Sequence, residues 1–178
     1  MQRELERRDF SDKAAVLTSR RRAFNSYALV GTQRAELIAY KQIKKINFAE
    51  VTLDYLYNLK QLQHDNLAKF FGIQLNDMDN LTVLHALVER GTLEEFYADI
   101  DGFDMDETFK SAFMRDILKG LQYLHKSPVG YHGYLQASTC LIDINWVLKL
   151  TLYGVSNFIC DNLDTKSIKS DEHAAPLC

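Results

Sequence analysis

Lys41 closes the run Leu37-Ile38-Ala39-Tyr40. A lysine at the end of a strand can hold an anionic phosphate, and it can equally be a solvated surface charge. His85 sits inside an apolar run over residues 81–88, where a partly buried imidazole with one hydrogen-bond partner is the plainer reading. His132 reads as a packing residue before it reads as a catalyst. His64 and His125 fit a loop and a helix end, and a histidine near a helix C-terminus complements the dipole. The three cysteines, Cys140, Cys160 and Cys178, are odd in number and far apart. They offer neither metal nor disulfide spacing, which favours a reducing compartment. Cys140 reads as a buried thiol rather than a nucleophile.

These residues need a scaffold. The chain has 178 residues, 47% hydrophobic and 25% charged, enough for one domain with a real core. A net charge of −3 argues against a nucleic-acid partner, which usually calls for a basic face. Arg20-Arg21-Arg22 and Lys41 with Lys44-Lys45 read as solvated surface. No apolar run approaches the ~20 residues of a membrane helix, and the first residues form no signal-peptide core. As written, the chain reads as soluble and cytosolic.

Residues 1–25 are charged and poorly periodic, and read as a flexible arm. Residues 26–160 read as the domain and 161–178 as a polar tail. Tyr27-Ala28-Leu29-Val30, a turn containing Gly31, and the apolar run from Glu36 to Ile43 predict a hairpin. Leu53, Leu56, Leu59 and Leu62 recur every three residues and predict one face of a helix over 51–63. Residues 67–75 and 81–88 read as strands joined by the turn-rich stretch 76–80. Thr92 and Glu95 have capping-box spacing before a short helix. Phe109, Phe113, Ile117, Leu121 and Leu124 predict a long amphipathic helix, opened by Asp104 and Asp106 and closed before Pro128. Two short strands, 140–143 and 147–151, follow. The order is that of an α+β fold, a sheet-rich lobe and then a helical one, with a ligand cleft expected at the boundary.

Five stretches in order resemble protein-kinase landmarks. Ile38-Ala39-Tyr40-Lys41 resembles V-A-I-K, and Leu62-Gln63-His64-Asp65-Asn66-Leu67 resembles the L-x-H-x-N loop after helix αC. His132 to Thr139 lies where H-R-D-L-x-x-x-N is expected, Leu152-Tyr153-Gly154 where D-F-G is, and Ala175-Pro176-Leu177 resembles A-P-E. Arg90-Gly91-Thr92-Leu93, the stretch from Lys119 to His125, H-G-Y-L-Q-A-S-T-C and V-L-K-L-T-L-Y-G narrow the likeness to the kinase-homology domain of receptor guanylyl cyclases. Gly133 in place of Arg and Tyr153 in place of Phe favour that family. The resemblance covers residues 27–177, and the chain looks truncated at the A-P-E stretch.

The resemblance implies a protein-kinase-like fold, with a β-rich lobe carrying αC and a partial helical lobe. It also implies lost chemistry. Phosphoryl transfer rests on positioned metal, a nucleotide grip and an oriented hydroxyl. The base position is Tyr134, the second metal position Thr139, the D-F-G acid position Leu152, and the αC glutamate position Tyr55. Asp54, one residue away, is turned by about 100° on a helix. Asp116 and Asp143 are the nearest other acids, and neither has the right context. No catalytic or metal-binding residue is therefore expected. Nucleotide-binding positions would be Lys41, Ala39, Ala86, Val88 and Leu141, with ATP held without firm metal binding. Leu59, Phe70, Tyr153 and His132 would form the hydrophobic column between the lobes, with His85 as gatekeeper.

The implied parent is a guanylate cyclase. Its kinase-like domain would help control cyclic GMP synthesis on the cytosolic side of the plasma membrane, with the adjacent cyclase domain and a second receptor copy as partners. The alternative is a free-standing, cytoplasmic interaction module or a partial gene product.

Overall fold

The computed structural model describes residues 27–46, 48–75, 80–98 and 106–170. The expected arm over 1–25, Asp104, most of the turn 76–80 and the Ala175-Pro176-Leu177 stretch lie outside them.

The first lobe is a sheet with strand order β1-β2-β4-β3, from β1 (Tyr27–Val30), β2 (Gln33–Gln42), β3 (Phe70–Leu75) and β4 (Asn80–Ala86). Helix α1 (Glu50–Gln61) lies between β2 and β3 in sequence. The β1–β2 hairpin turns at Gly31 and Thr32, with Gly31 at φ 63°. A two-residue hairpin loop needs such left-handed backbone, which glycine adopts without strain. β2 runs antiparallel to β4 over seven pairs, from Ala35 opposite Ala86 to Lys41 opposite Asn80. The apolar run in β4 is buried from Leu81 through His85.

The second lobe begins with β5 (Gly91–Thr92) and helix α2 (Leu93–Ala98). The capping box forms as read: Glu95 N–H donates to Thr92 Oγ1 at 3.1 Å, and Thr92 N–H donates to Glu95 Oε2 at 2.9 Å. Helix α3 (Glu107–Lys126) is the long amphipathic helix, capped by Asp106, whose carboxylate accepts from Phe109 N–H at 2.9 Å. It ends at Ser127, just before Pro128. A 3₁₀ turn (Ala137–Thr139), β6 (Cys140–Ile142) and β7 (Leu148–Leu150) follow, and β5, β6 and β7 pair as a small sheet. Asp143 closes the β6–β7 turn, its carboxylate accepting from Asn145 N–H at 2.8 Å and Val147 N–H at 2.9 Å. Arg90 locks that turn from outside, donating to the Asp143 carbonyl at 3.0 Å and stacking 4.4 Å over Trp146.

The loop after α1 joins the lobes. Leu150 N–H donates to the Asn66 carbonyl at 2.9 Å, Ala68 N–H to the Leu150 carbonyl at 2.8 Å, and Asn66 Nδ2 to the Leu148 carbonyl at 3.0 Å. One apolar core then runs through both lobes, from Tyr40 and Leu59 to Leu150 and Tyr153.

Three readings change. Leu53 is 52% exposed while Leu59 and Leu62 are buried. A spacing of three falls about 60° short of a helical turn each time, so the four leucines drift around α1 rather than sharing one face. Residues 161–170 carry regular structure that the sequence did not signal: helix α4 (Ser156–Asp164) runs past residue 160, and β8 (Ile168–Ser170) joins the first sheet by pairing with β2. Cys140 is a free, buried thiol as expected, whereas Cys160 is disulfide-bonded, a bridge that spacing along the chain did not suggest.

Candidate functional site

The site lies where α1, the 132–139 loop and the turn Leu152-Tyr153-Gly154 meet. The expected column is assembled. Leu59, Phe70, Tyr153 and His132 are all buried. The Phe70 ring lies 5.3 Å from His85, His85 5.9 Å from Tyr153, and Tyr153 6.4 Å from His132. His85 is thus a member of the stack, which the sequence did not reveal. Tyr153 fixes the column to the interlobe loop by donating its hydroxyl to the Ala68 carbonyl at 2.8 Å.

His85 also lacks the hydrogen-bond partner expected for it: neither ring nitrogen has one among the described residues. Burial holds its pKa down to about 3. His132 accepts from Tyr134 N–H at 3.3 Å through Nδ1, leaves Nε2 unpartnered among the described residues, and is held down to about 4 by burial. The consequence for stability has a definite sign. Above the ordinary value of 6.5 both histidines are neutral, folded or unfolded. As pH falls below 6.5 the unfolded chain binds protons that the folded chain refuses, until about 4 for His132 and about 3 for His85. Stability is therefore full above pH 6.5 and declines below it. The slope is up to ~1.4 kcal/mol per pH unit per histidine. Urea unfolding at about pH 7.5 and about pH 5 should differ by on the order of 4 kcal/mol. His85→Leu removes a buried, unpartnered polar ring, so it should add about 1 kcal/mol near neutrality and flatten the acid limb.

The positions where the resemblance expects catalytic groups are taken up by packing and by local hydrogen bonds. Leu152 is 3% exposed, belongs to the core, and adopts φ 57°, left-handed backbone that leucine disfavours. Thr139 is fully buried. Its hydroxyl lies 3.0 Å from the carbonyl oxygens of Tyr134 and Gln136 and accepts from Gln136 N–H at 3.0 Å, so it is consumed inside its own loop. Tyr134 is half-buried and packs against the core. The Cys140 thiol is pushed up to about 11 by burial, which removes it as a nucleophile.

Tyr55 faces inward on α1, while Asp54 is exposed. The Tyr55 hydroxyl donates to the Gly154 carbonyl at 2.9 Å. Burial is the main reason its pKa lies far above the ordinary tyrosine value, so it stays a donor. Gly154 has φ 70°, and a Cβ there would meet Tyr55 Oη at 2.8 Å and Leu59 Cδ1 at 3.0 Å, so only glycine permits this approach. Gly133 has φ 88°, and a Cβ there would run into Ser156 Oγ.

The expected nucleotide positions lie on β2, β4, β6 and the loop after β4. Val88 and Leu141 pack together with Ala68 in a small buried cluster. Ala86 is half-buried and pairs with Ala35. Lys41 is exposed and pairs with Asn80, six residues further along β2, a distance of roughly 20 Å at strand rise. The face carrying Ala39 and Lys41 is opposite the one carrying Tyr40, and Tyr40 is the fully buried residue, in the same core as Tyr134 and Tyr153. An alternating strand shows either Tyr40 or Lys41 to the interior, and pairing with β4 selects Tyr40.

Comparison with known proteins agrees with this architecture. The family described as protein tyrosine and serine/threonine kinase matches residues 24–177. The chain is 75% identical over 179 aligned residues to receptor-type guanylate cyclase gcy-10 of Caenorhabditis elegans, covering 99% of this chain and 17% of that protein. It is 71% identical over 169 residues to receptor-type guanylate cyclase gcy-27 of the same organism, covering 94% of this chain and 23% of the relative. It is 30% identical over 149 residues to the atrial natriuretic peptide receptor 2 of Anguilla japonica, covering 82% and 14%. The chain thus spans about a fifth of the first two relatives. Among the described residues no helix is long and apolar enough to cross a membrane.

Proposed function

The chain belongs to the protein tyrosine and serine/threonine kinase family, in the kinase-homology form of receptor guanylyl cyclases, and from that premise we propose that it is a regulatory domain without phosphotransfer activity, acting on cyclic GMP synthesis by an adjoining cyclase domain. One observation carries the reading. The D-F-G acid position is a buried leucine beside a glycine that the αC tyrosine holds by a hydrogen bond.

That arrangement supports regulation over catalysis for physical reasons. Phosphoryl transfer is mostly electrostatic, so it fails when metal-ligating and proton-accepting groups are replaced by Leu152, Thr139 and Tyr134. The column linking the lobes does not need those groups and is intact. A scaffold with ordered packing and no charge at the reacting positions can still pass a conformational change between flanking domains. The membrane-facing, cytosolic location and a second receptor copy as partner follow from the same reading.

ATP enters the proposal as a regulatory ligand held without firm metal binding, since Leu152 offers no ligand and the Thr139 hydroxyl is engaged. Millimolar ATP should raise the thermal midpoint equally in magnesium and in chelator. No shift in a folded sample removes ATP from the reading.

The regulatory claim is tested by grafting this chain in place of the matching stretch of the gcy-10 relative, to which it is 75% identical. The graft should preserve regulated cyclic GMP output, and a graft with the column disrupted by Tyr153→Ala should lose regulation while the protein is still made. Output that is indifferent to both would overturn the reading and favour a free-standing interaction module.

A further inference from the structure

We propose that the edge of the first sheet where β8 joins the end of β2 is a docking surface for an anionic bilayer, made by Lys41, Lys44, Lys45, Lys166 and Lys169 with the exposed side chain of Ile43 among them. This rests on the membrane-facing location proposed above and names the surface that meets the membrane.

The five lysines come from two stretches far apart in the sequence, and folding merges them. Lys169 stands directly opposite Lys41 in the β2–β8 pair. The Ser167 carbonyl accepts from Ile43 N–H at 2.8 Å and from Lys44 N–H at 3.2 Å. Lys44 Nζ lies 3.4 Å from the Thr165 carbonyl, next to Lys166. All five lysines are exposed, and among the described residues none of them forms an ion pair. Asp161 and Asp164 on α4 are exposed too and pair with none of them. In a chain of net charge −3 the patch is a local excess of positive charge.

The sequence shows Lys41, Lys44 and Lys45 alone as a cluster, and a solvated face accounts for three lysines. Two features of the folded patch go further. Like charges directly opposite weaken a strand pair, so Lys169 against Lys41 is unfavourable until negative charge lies over both. Ile43 is 46% exposed in the middle of the cluster. An apolar side chain set among lysines fits the headgroup boundary, where the charges meet anionic lipid and the side chain enters the acyl region. A soluble polyanion gains nothing from Ile43. Lysine also suits a diffuse surface: its ammonium is a point charge on a flexible stem, without the planar fork by which arginine fixes a single phosphate.

Co-sedimentation of the full chain with lipid vesicles tests this. Phosphatidylcholine vesicles with about one-third phosphatidylserine should bind the chain at about 0.1 M salt and release it at about 0.5 M, and vesicles of phosphatidylcholine alone should not bind it. Lys44→Gln combined with Lys166→Gln should weaken binding about twentyfold, roughly fivefold for each lysine. Lys119→Gln combined with Lys126→Gln, an equal charge change at exposed positions of α3, should alter it less than about twofold. Ile43→Ser should weaken vesicle binding about threefold to tenfold. The proposal is overturned if the two double variants weaken binding equally, if Ile43→Ser has no effect, or if phosphatidylcholine alone binds as well. It is also overturned if soluble polyglutamate binds at least as tightly as the vesicles, which would assign the lysines to an acidic protein partner. Every variant changes an exposed side chain, and circular dichroism checks that each is folded. No cyclic GMP is read, so failure here leaves the regulatory reading standing, and a failed graft leaves the vesicle result standing.

Discussion

Leu152→Asp, which restores the acid of the D-F-G position, lowers stability by about 3–5 kcal/mol and brings back no phosphotransfer. Leu152 lies in the core at 3% exposure, so the new carboxylate enters an apolar site. Two terms compete. Aspartate tolerates left-handed backbone better than leucine, a gain of up to about 1 kcal/mol at φ 57°. Burying an unpaired charge and losing the leucine contacts costs several times more. The variant answers the burial by keeping its proton, so its folded pKa rises above the ordinary aspartate value. Its deficit against the parent at the same pH is then largest near neutrality and shrinks as pH falls towards about 4. Paired urea titrations measure this. A deficit below about 1 kcal/mol would mean that Leu152 is not the core residue described here.

Gly133→Arg, the kinase-type residue at the neighbouring position, should cost about 3 kcal/mol or more. The left-handed φ of 88° accounts for roughly 1–2 kcal/mol on any L side chain. Overpacking adds roughly 1–3 kcal/mol, because a Cβ would overlap Ser156 Oγ and stand 3.2 Å from the Tyr131 ring. The cause can be isolated with smaller changes. Gly133→Ala is strongly destabilising in the parent and milder in a Ser156→Ala background, a coupling of about 1 kcal/mol or more. Ser156→Ala alone is nearly neutral or stabilising, since the buried Ser156 hydroxyl has no hydrogen-bond partner among the described residues. Equal cost of Gly133→Ala in both backgrounds would leave backbone conformation as the whole effect.

The two variants share a reason. Leu152 and Gly133 both sit where a kinase-type side chain has no room or no partner, so introducing one at a time damages the fold before it could build chemistry.

Much of this was legible in the sequence where the signal is local. The Thr92 and Glu95 box, the Asp106 cap and the Phe109 to Leu124 stripe are set by spacing within one element, and they form as read. The column of Leu59, Phe70, Tyr153 and His132 was legible because large residues occupy positions that ordered landmarks identify. Three features depend on pairing that spacing does not encode. Which of Tyr40 and Lys41 faces inward is decided by the register of β2 against β4, and a one-residue change reverses it. The new partner of Tyr55 is a backbone carbonyl 99 residues away, which side-chain types cannot announce. The ordered segment after Phe158 was hidden by its polarity, although Ile159 and Leu163, four residues apart, and then Ile168 mark its apolar contacts. A nine-residue helix and a three-residue strand leave too short a pattern for periodicity to register.

That this chain does not transfer phosphate is tested most directly by label transfer from γ-labelled ATP. The purified chain is given itself and a generic protein substrate, with magnesium and with manganese. Incorporation should stay at the level of the blank, unchanged in Lys41→Met. Time-dependent incorporation above the blank that Lys41→Met abolishes would contradict the loss of phosphotransfer.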